Sequence, residues 1–446
     1  MFVRFASTRR VAEPRKTTLS FSVLAVVLAH VASVPSKQEC DPGACTAMAS
    51  CTSRIEIQGK IFSASNDALM PTASLVASSM GNPVSPKSER VALIGCGAAS
   101  EILYASALDM LSAERVIEVT ALVDPNPERT LAIGKKFPLA RHHLNVDSML
   151  AETAPDLAII VSPHGFHADL AIKCLEKGSH VLCEKPMATT TVDCDRMIDA
   201  AEKAGCLLAV GHFRRLFPSS RMVKRILDEE LLGPVRSFRF LEGEIYSWPA
   251  QTASFFKRAE AGGGVLIEAG VHTIDLLLWW LGDVAQVLYR DDSMGGVEAN
   301  CLIRLKMISG AEGVLQLSRD WSLPNRYVIE CQKGWIAYMY DVVNRIEWGF
   351  HDSECGLDAE IRTRAANNLA GMRELGSAAP GFTDCFTAQL RNVVDAIHGA
   401  ASLQVSGKDA RKGIALIEKC YRNRALLDMP WLGELEMRRA RELAHG

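Results

Sequence analysis

The sequence predicts an α/β protein. Its first ordered part winds helices around a parallel sheet, and its second carries a mostly antiparallel sheet open on one face. Three observations predict this. From Arg90 to Val210, short uninterrupted apolar runs alternate with helical stretches, as they do in parallel sheets covered on both faces. After Pro218 the runs alternate apolar with polar and few helices intervene, the pattern of an antiparallel sheet with one solvated face. A glycine pair, Gly95-Cys96-Gly97, stands between the first strand and its helix.

The elements follow in order. Arg90 to Ile94 is an apolar strand that runs into the glycine pair, and a helix extends from Ala98 to about Leu111. A second strand, Val116 to Val123, is closed by Asp124-Pro125-Asn126-Pro127. Pro127 opens the next helix, where a proline costs no hydrogen bond. Strand Leu157 to Val161 leads to helix Phe166 to Lys177, strand His180 to Cys183 to helix Thr191 to Ala204, and Leu207 to Val210 forms another strand. Beyond Pro218 come helix Ser219 to Leu232 and the alternating strand Val235 to Phe240. Further strands span 285–289, 299–306, 313–317, 327–331 and 335–340, with Gly334 in a hairpin between the last two. Residues 353–380 read as an irregular loop, and helices over 383–398 and 408–424 follow.

A chain of 446 residues accommodates two domains and an extension. The expected division is an N-terminal extension at 1–88, a nucleotide-binding Rossmann domain at 89–215 and an α/β substrate and oligomerisation domain at 216–432. The extension begins with Arg4, Arg9, Arg10, Arg15 and Lys16 and continues into an apolar run, Leu19 to Val34. That layout is shared by secretory signals, mostly disordered tails and start-site extensions. A cytoplasmic location is the expectation, with export or organelle targeting the alternative that this start leaves open. The run is short for a membrane span, so no stable insertion is expected. Net charge is −3 with no long charged run, which gives nucleic acid or an anionic surface nothing to grip. The 13 cysteines lie mostly in apolar contexts without metal-ligand spacing, so they read as reduced thiols and no metal is expected.

Gly95-x-Gly97 suits a dinucleotide turn. The first glycine permits the tight turn, and the second lets the backbone approach a pyrophosphate seated on the helix that Ala98 and Ala99 head. Ser100 stands where a third glycine is usual. Asp124 ends the second strand, where a carboxylate accepts from the adenosine ribose and repels a 2′-phosphate. NAD is therefore expected over NADP, which stays open, as does a plain turn-forming role for Asp124.

A second stretch, GGGVLIEAGVHTIDLLLWWLG at 262–282, is apolar enough to be a buried helix. Glu268, His272 and Asp275 fall at steps of four and three and so on one face. A buried histidine beside acids is a candidate proton carrier, and a structural Glu–His–Asp network is the bland alternative. A third stretch, SHVLCEKPMATT at 179–190, ends an apolar strand in Glu184-Lys185-Pro186.

With these three motifs in order, the chain from about Arg90 to Trp431 resembles the Gfo/Idh/MocA oxidoreductases. The resemblance implies a nicotinamide-binding Rossmann domain, then a domain whose open sheet serves as a homo-oligomer interface, in a dimer or tetramer. It implies that Lys185 binds the substrate hydroxyl, that His272 is the general acid/base, and that Glu184 holds the turn and contacts the cofactor. Glu268 replaces the aspartate common in family dehydrogenases. Ser162, Pro163 and His167 match the loop lining the cofactor, and Arg215 and Pro218 a segment at the domain junction, with Arg215 read as structural first. The implied activity is NAD(P)-dependent hydride transfer with a hydroxyl or carbonyl carbon of a sugar, cyclitol or related polyol. An NAD-dependent glycosidase and a non-catalytic cofactor-sensing regulator are the competing expectations. Tyr246, Trp248 and Phe255 to Arg258 are candidate pocket residues or core.

Overall fold

The protein is described here from a computed structural model covering residues 88–250, 253–353, 355–361 and 381–445. The expected extension lies outside these residues up to position 87, as does the 362–380 part of the expected loop.

The first sheet is parallel, with strand order β3-β2-β1-β4-β5-β6. β1 (Glu89–Ile94) pairs with β2 (Ile117–Val123) on one side and β4 (Leu157–Ile160) on the other. β3 (Arg141–His143) extends one edge, and β5 (His180–Cys183) and β6 (Leu208–Val210) the other. Val91, Ala92, Leu93 and all four residues of β4 are fully buried, as covered parallel strands require. The helices are α1 (Ala105–Ala113), entered through a π-helical turn at Ser100–Tyr104, α2 (Pro127–Gly134), α3 (Val146–Glu152), α4 (His167–Glu176) and α5 (Thr191–Ala204). Strand order reverses between β1 and β4, and the crevice at the carboxyl ends of these strands is where such sheets bind ligands.

The chain then runs through α6 (Pro218–Asp228) into a nine-stranded sheet of order β14-β13-β12-β11-β7-β10-β9-β8-β15. Its central strands are β7 (Val235–Gly243), β10 (Glu312–Ser318) and β11 (Arg326–Cys331), with β9 (Asn300–Met307), β8 (Val284–Asp291) and β15 (Arg424–Leu426) beyond β10, and β12 (Gly334–Met339) and two further strands beyond β11. The β7–β10 and β8–β15 pairs are parallel and the rest antiparallel. Four strands were not read in the sequence: β3, β15, β13 (Arg345–Phe350), and β14 (Gly356–Glu360), the last of which corrects the start of the expected loop. β14 is short and alternates only weakly, so its order comes from pairing with β13 rather than from its own pattern.

The apolar stretch at 265–281 is not one helix. After the short α7 (Arg258–Ala261), α8 (Val265–Glu268) ends at Ala269 and α9 (Gly270–Leu281) begins. The chain bends by 50° between Arg258–Glu268 and Gly270–Leu281. Gly270 lies at the bend, and a Cβ there would lie 2.4 Å from Leu317 Cδ1, so a larger residue would require that leucine to shift where α9 meets β10. Every residue from Gly270 to Leu277 is buried. Each buried leucine of this run stabilises the fold by about 1.5–3 kcal/mol.

α10 (Phe382–Ile397) returns to the first sheet, where Phe386, Leu390, Val393 and Val394 join the core formed with α1. α11 (Gly407–Arg422) and α12 (Glu434–His445) complete the chain. No single helix among the described residues is long and apolar enough to cross a membrane.

Candidate active site

A cavity of about 480 Å³ opens at the β1–β4 switch point and reaches the second sheet. Gly95, Gly97, Ala98, Ala99, Asp124, Ser162, Pro163, Glu184, Lys185, Glu268 and His272 all line it. His167 does not. It is fully buried behind the wall, with Nδ1 2.8 Å from the Pro186 carbonyl and Nε2 2.8 Å from that of Ser162. It thus ties the loop after β4 to the Glu-Lys-Pro turn, and His164 takes the cavity-facing place.

At the glycine end, Gly95 has φ +91°, and a Cβ there would lie 2.5 Å from the Val161 carbonyl oxygen. Only glycine fits both the angle and the space. Ser100 is fully buried, and its hydroxyl donates to the Gly95 carbonyl, so the residue in the third glycine's place holds the turn. Asp124 Oδ2 accepts from Cys96 N at 2.9 Å and Oδ1 from Asn126 N at 2.8 Å, with Arg129 3.8 Å away. Asp124 therefore fastens the turn to β2 and also faces the cavity. The start of the following helix has no side-chain cap. Its first N–H groups are thus open to an anion where Ala98 and Ala99 line the cavity, which fits a pyrophosphate.

At the other end, Lys185 Nζ donates to the Glu268 main-chain carbonyl at 2.8 Å. The Lys185–Pro186 bond is cis. Glu184 Oε2 accepts from Lys185 N at 3.0 Å, and Oε1 accepts from Tyr104 Oη at 2.6 Å, which in turn accepts from Gln389 Nε2 at 3.1 Å. Burial raises the Glu184 pKa, and Tyr104 and Lys185 oppose it. Burial lowers the Lys185 pKa, and Glu184 opposes that. His272 is 5% exposed, and Phe213 packs edge-on against its ring at 5.2 Å. Burial, then the charge of Lys185, drives its pKa well below the ordinary histidine value, so the imidazole is neutral at neutral pH.

The acids read as partners of His272 point elsewhere. Asp275 forms two hydrogen bonds with Arg215, at 2.8 and 2.7 Å, and lies 3.9 Å from His212 Nδ1. The Glu268 carboxylate pairs with Arg319. His272 Nδ1 has no partner among the described residues. The three groups do not form the single-face network that their spacing suggests, because the helix breaks at Ala269 and because each acid finds an arginine. Arg215 has the structural place expected of it.

Several residues went unread. Arg214 pairs with Glu242 through bonds of 2.9 and 2.8 Å, and Thr273 donates to the same carboxylate at 2.7 Å. Burial disfavours the Glu242 anion, but Arg214 and these bonds outweigh it and hold its pKa below the usual range. Tyr104 and Arg319 also carried no local signal. Of the candidate pocket residues, Tyr246, Trp248 and Phe255 line the cavity, and Phe256, Lys257 and Arg258 do not. No group of three or more metal-ligating side chains occurs among the described residues.

A glycine-bordered crevice over a parallel sheet, with a half-buried lysine and a buried imidazole at its far end, defines a dinucleotide-binding α/β protein. Residues 89–212 match "Oxidoreductase family, NAD-binding Rossmann fold", and residues 220–337 match the "GFO/IDH/MocA C-terminal domain". The chain belongs to the Gfo/Idh/MocA oxidoreductase family.

Its relatives include named dehydrogenases and reductases. It is 30% identical over 196 residues to D-glucoside 3-dehydrogenase of Escherichia coli, covering 43% of this chain and 54% of that protein. It is 24% identical over 238 residues to myo-inositol 2-dehydrogenase of Thermotoga maritima, covering 52% and 68%. The match spans about half the length of such curated relatives, for example 40% of the oxidoreductase YteT of Bacillus subtilis. Among solved structures, the WlbA dehydrogenase of Bordetella pertussis with NADH and UDP-GlcNAcA superposes with TM-score 0.63 at 23% identity, covering 76% of this chain and 96% of that one. Levoglucosan dehydrogenase with NADH and levoglucosan gives 0.65 at 21%, covering 75% and 98%. At these identities the likeness is one of fold.

Proposed function

We propose that the protein is an NAD-linked oxidoreductase that moves hydride between the nicotinamide and a secondary hydroxyl or carbonyl carbon of a sugar, cyclitol or related polyol. One observation carries the reading: Lys185, from the first sheet, and His272, from α9, line the same cavity that Gly95 and Gly97 border. Gly97, Ala98 and Ala99 would hold the pyrophosphate and Asp124 the ribose, with Ser162, Pro163 and Glu184 beside the ring. Bound there, the nicotinamide supplies the hydride acceptor or donor.

The neutral His272 imidazole takes the hydroxyl proton during oxidation and returns it during reduction. The Lys185 ammonium, already placed by the Glu268 carbonyl, stabilises negative charge on the same oxygen. Glu268 contacts a neighbouring polar group of the substrate and His167 fixes the cofactor-side loop. The chain divides near Arg215, with α10 returning to the first domain, and the open sheet of the second joins copies of the chain. Screening polyols and sugars by NADH absorbance, with NADP in parallel, tests the proposal. NADH formation from NAD with at least one such alcohol is expected. Release of free sugar from glycosides without net NADH would replace the reading with the glycosidase one.

A further inference from the structure

Tyr104 closes the π-helical turn that carries the dinucleotide loop into α1. Ser100, at the other end of that turn, bonds the Gly95 carbonyl, and Glu101 N donates to the Gly97 carbonyl at 3.1 Å. A π turn holds one residue more than an α turn and often marks a functional site. Tyr104 itself is fully buried and does not line the cavity. Its hydroxyl reaches Glu184, 80 positions away, and donates at 2.6 Å to the carboxylate whose other oxygen accepts from Lys185 N.

Gln389 fixes the direction of that bond. Its Nε2 only donates, and it gives a hydrogen bond to Tyr104 Oη at 3.1 Å. The hydrogen of the hydroxyl is then left for Glu184. Gln389 stands on α10, 285 positions from Tyr104. Phe386, on the same helix, packs edge-on against the Tyr104 ring at 5.1 Å. Burial, then the Glu184 charge, keeps the phenol protonated well above its ordinary range, so it stays a donor through neutral pH.

Glu184 is 8% exposed, and burial alone would favour its neutral form. The Tyr104 bond opposes this, followed by the charge and the main-chain N–H of Lys185. The thiol of Cys183, at the end of β5, is pushed up by burial and stays neutral. Among the described residues, Tyr104 is the one side chain that hydrogen-bonds the carboxylate.

We propose that Tyr104 is a positioning residue for the catalytic turn: its hydroxyl, oriented by Gln389, holds the Glu184 carboxylate against the Lys185 main chain and so ties the start of the dinucleotide helix to Lys185. The role of Lys185 rests on the dehydrogenase reading; the hold on Glu184 does not.

Infrared difference spectra of the full chain with saturating NAD, recorded stepwise from pH 8 to 4.5, test it. The protonated-carboxyl band that Glu184→Gln removes reports the state of Glu184. In Tyr104→Phe, which keeps the ring and loses the donor, that band should appear about one to two pH units higher than in wild type, the worth of one hydrogen bond to a charged group. Gln389→Met should move it the same way by less. Phe386→Leu, which loosens the packing of the ring and leaves the bond, should not move it. The proposal is overturned if the band of folded Tyr104→Phe stays in place or never appears, or if Phe386→Leu moves it as far.

On an alcohol that yields NADH, the acid limb of kcat in Tyr104→Phe should rise with the band, with KM within a few-fold of wild type. His272 titrates on that limb too, but burial and then Lys185, Arg214 and His212 set its place, and Tyr104 touches none of them. A limb that stays in place while the band moves would overturn the link to Lys185. A shifted band with no NADH formed from any alcohol would leave the hold on Glu184 and sink the dehydrogenase reading. NADH formation with an unshifted band would do the reverse.

Discussion

Lys185 Nζ donates to the main-chain carbonyl of Glu268 across 2.8 Å. The two residues come from different sheets' connections, and the bond joins the Glu-Lys-Pro turn to the break between α8 and α9. The acceptor is backbone, so the lysine's position does not depend on which acid follows Ile267. That carbonyl is free to accept because the helix ends at Glu268. The bend that sequence periodicity missed is therefore what places the ammonium beside His272.

Gly95→Ala should abolish dinucleotide binding and destabilise the fold by more than about 1 kcal/mol, because the new Cβ meets a carbonyl at 2.5 Å in a left-handed backbone. NADH fluorescence titration and thermal melting would check it. An unchanged dissociation constant with an unchanged Tm would show that the turn does not approach β4 as described.

Breaking the buried Arg214–Glu242 pair with Glu242→Ala should cost about 3–5 kcal/mol, since Arg214 is left charged and desolvated. Removing the exposed Lys173–Asp147 pair with Asp147→Ala should cost under about 1 kcal/mol. Denaturant titration of both variants measures the contrast, and equal losses would contradict it.

Acid should destabilise the protein through its buried imidazoles. Burial lowers the His212 pKa to about 4, against about 6.5 in the unfolded chain. Between those values the unfolded chain binds the proton and the folded one does not, so stability falls as pH drops from about 6.5 to 4. His272 shifts in the same direction, whereas Glu184, with its raised pKa, acts oppositely. In Tm measured from pH 7.5 to 4.5, His212→Gln should give a shallower acid loss than wild type. Parallel curves would remove His212 from the account.

Much of the fold was legible because its signals are local. Helix Thr191–Ala204 was read at its observed limits, with Thr190 capping Asp193 N and Gly205 in the left-handed conformation just beyond. The β1 turn was legible from the glycine pair together with its place between a strand and a helix and the acid, Asp124, that ends the next strand. What stayed hidden depends on distant partners. Asp275 was placed with His272 by helical spacing, yet its counterion Arg215 lies 60 positions away. Arg319 meets Glu268 across 51 positions, and Tyr104 meets Glu184 across 80. The break at Ala269 was not legible, because a lone glycine in an apolar helix predicts neither a bend nor its direction.

The central claim is that Lys185 and His272 act on one oxygen of one substrate. The most direct measurement compares turnover of Lys185→Met and His272→Ala with wild type on the best alcohol found, with NADH affinity and circular dichroism measured alongside. The account predicts folded proteins that hold NADH within a few-fold of wild type, with kcat reduced by about 10²–10⁴-fold, the usual range for losing a positioned proton-transfer or charge-stabilising group. Folded variants that turn over at the wild-type rate would contradict it.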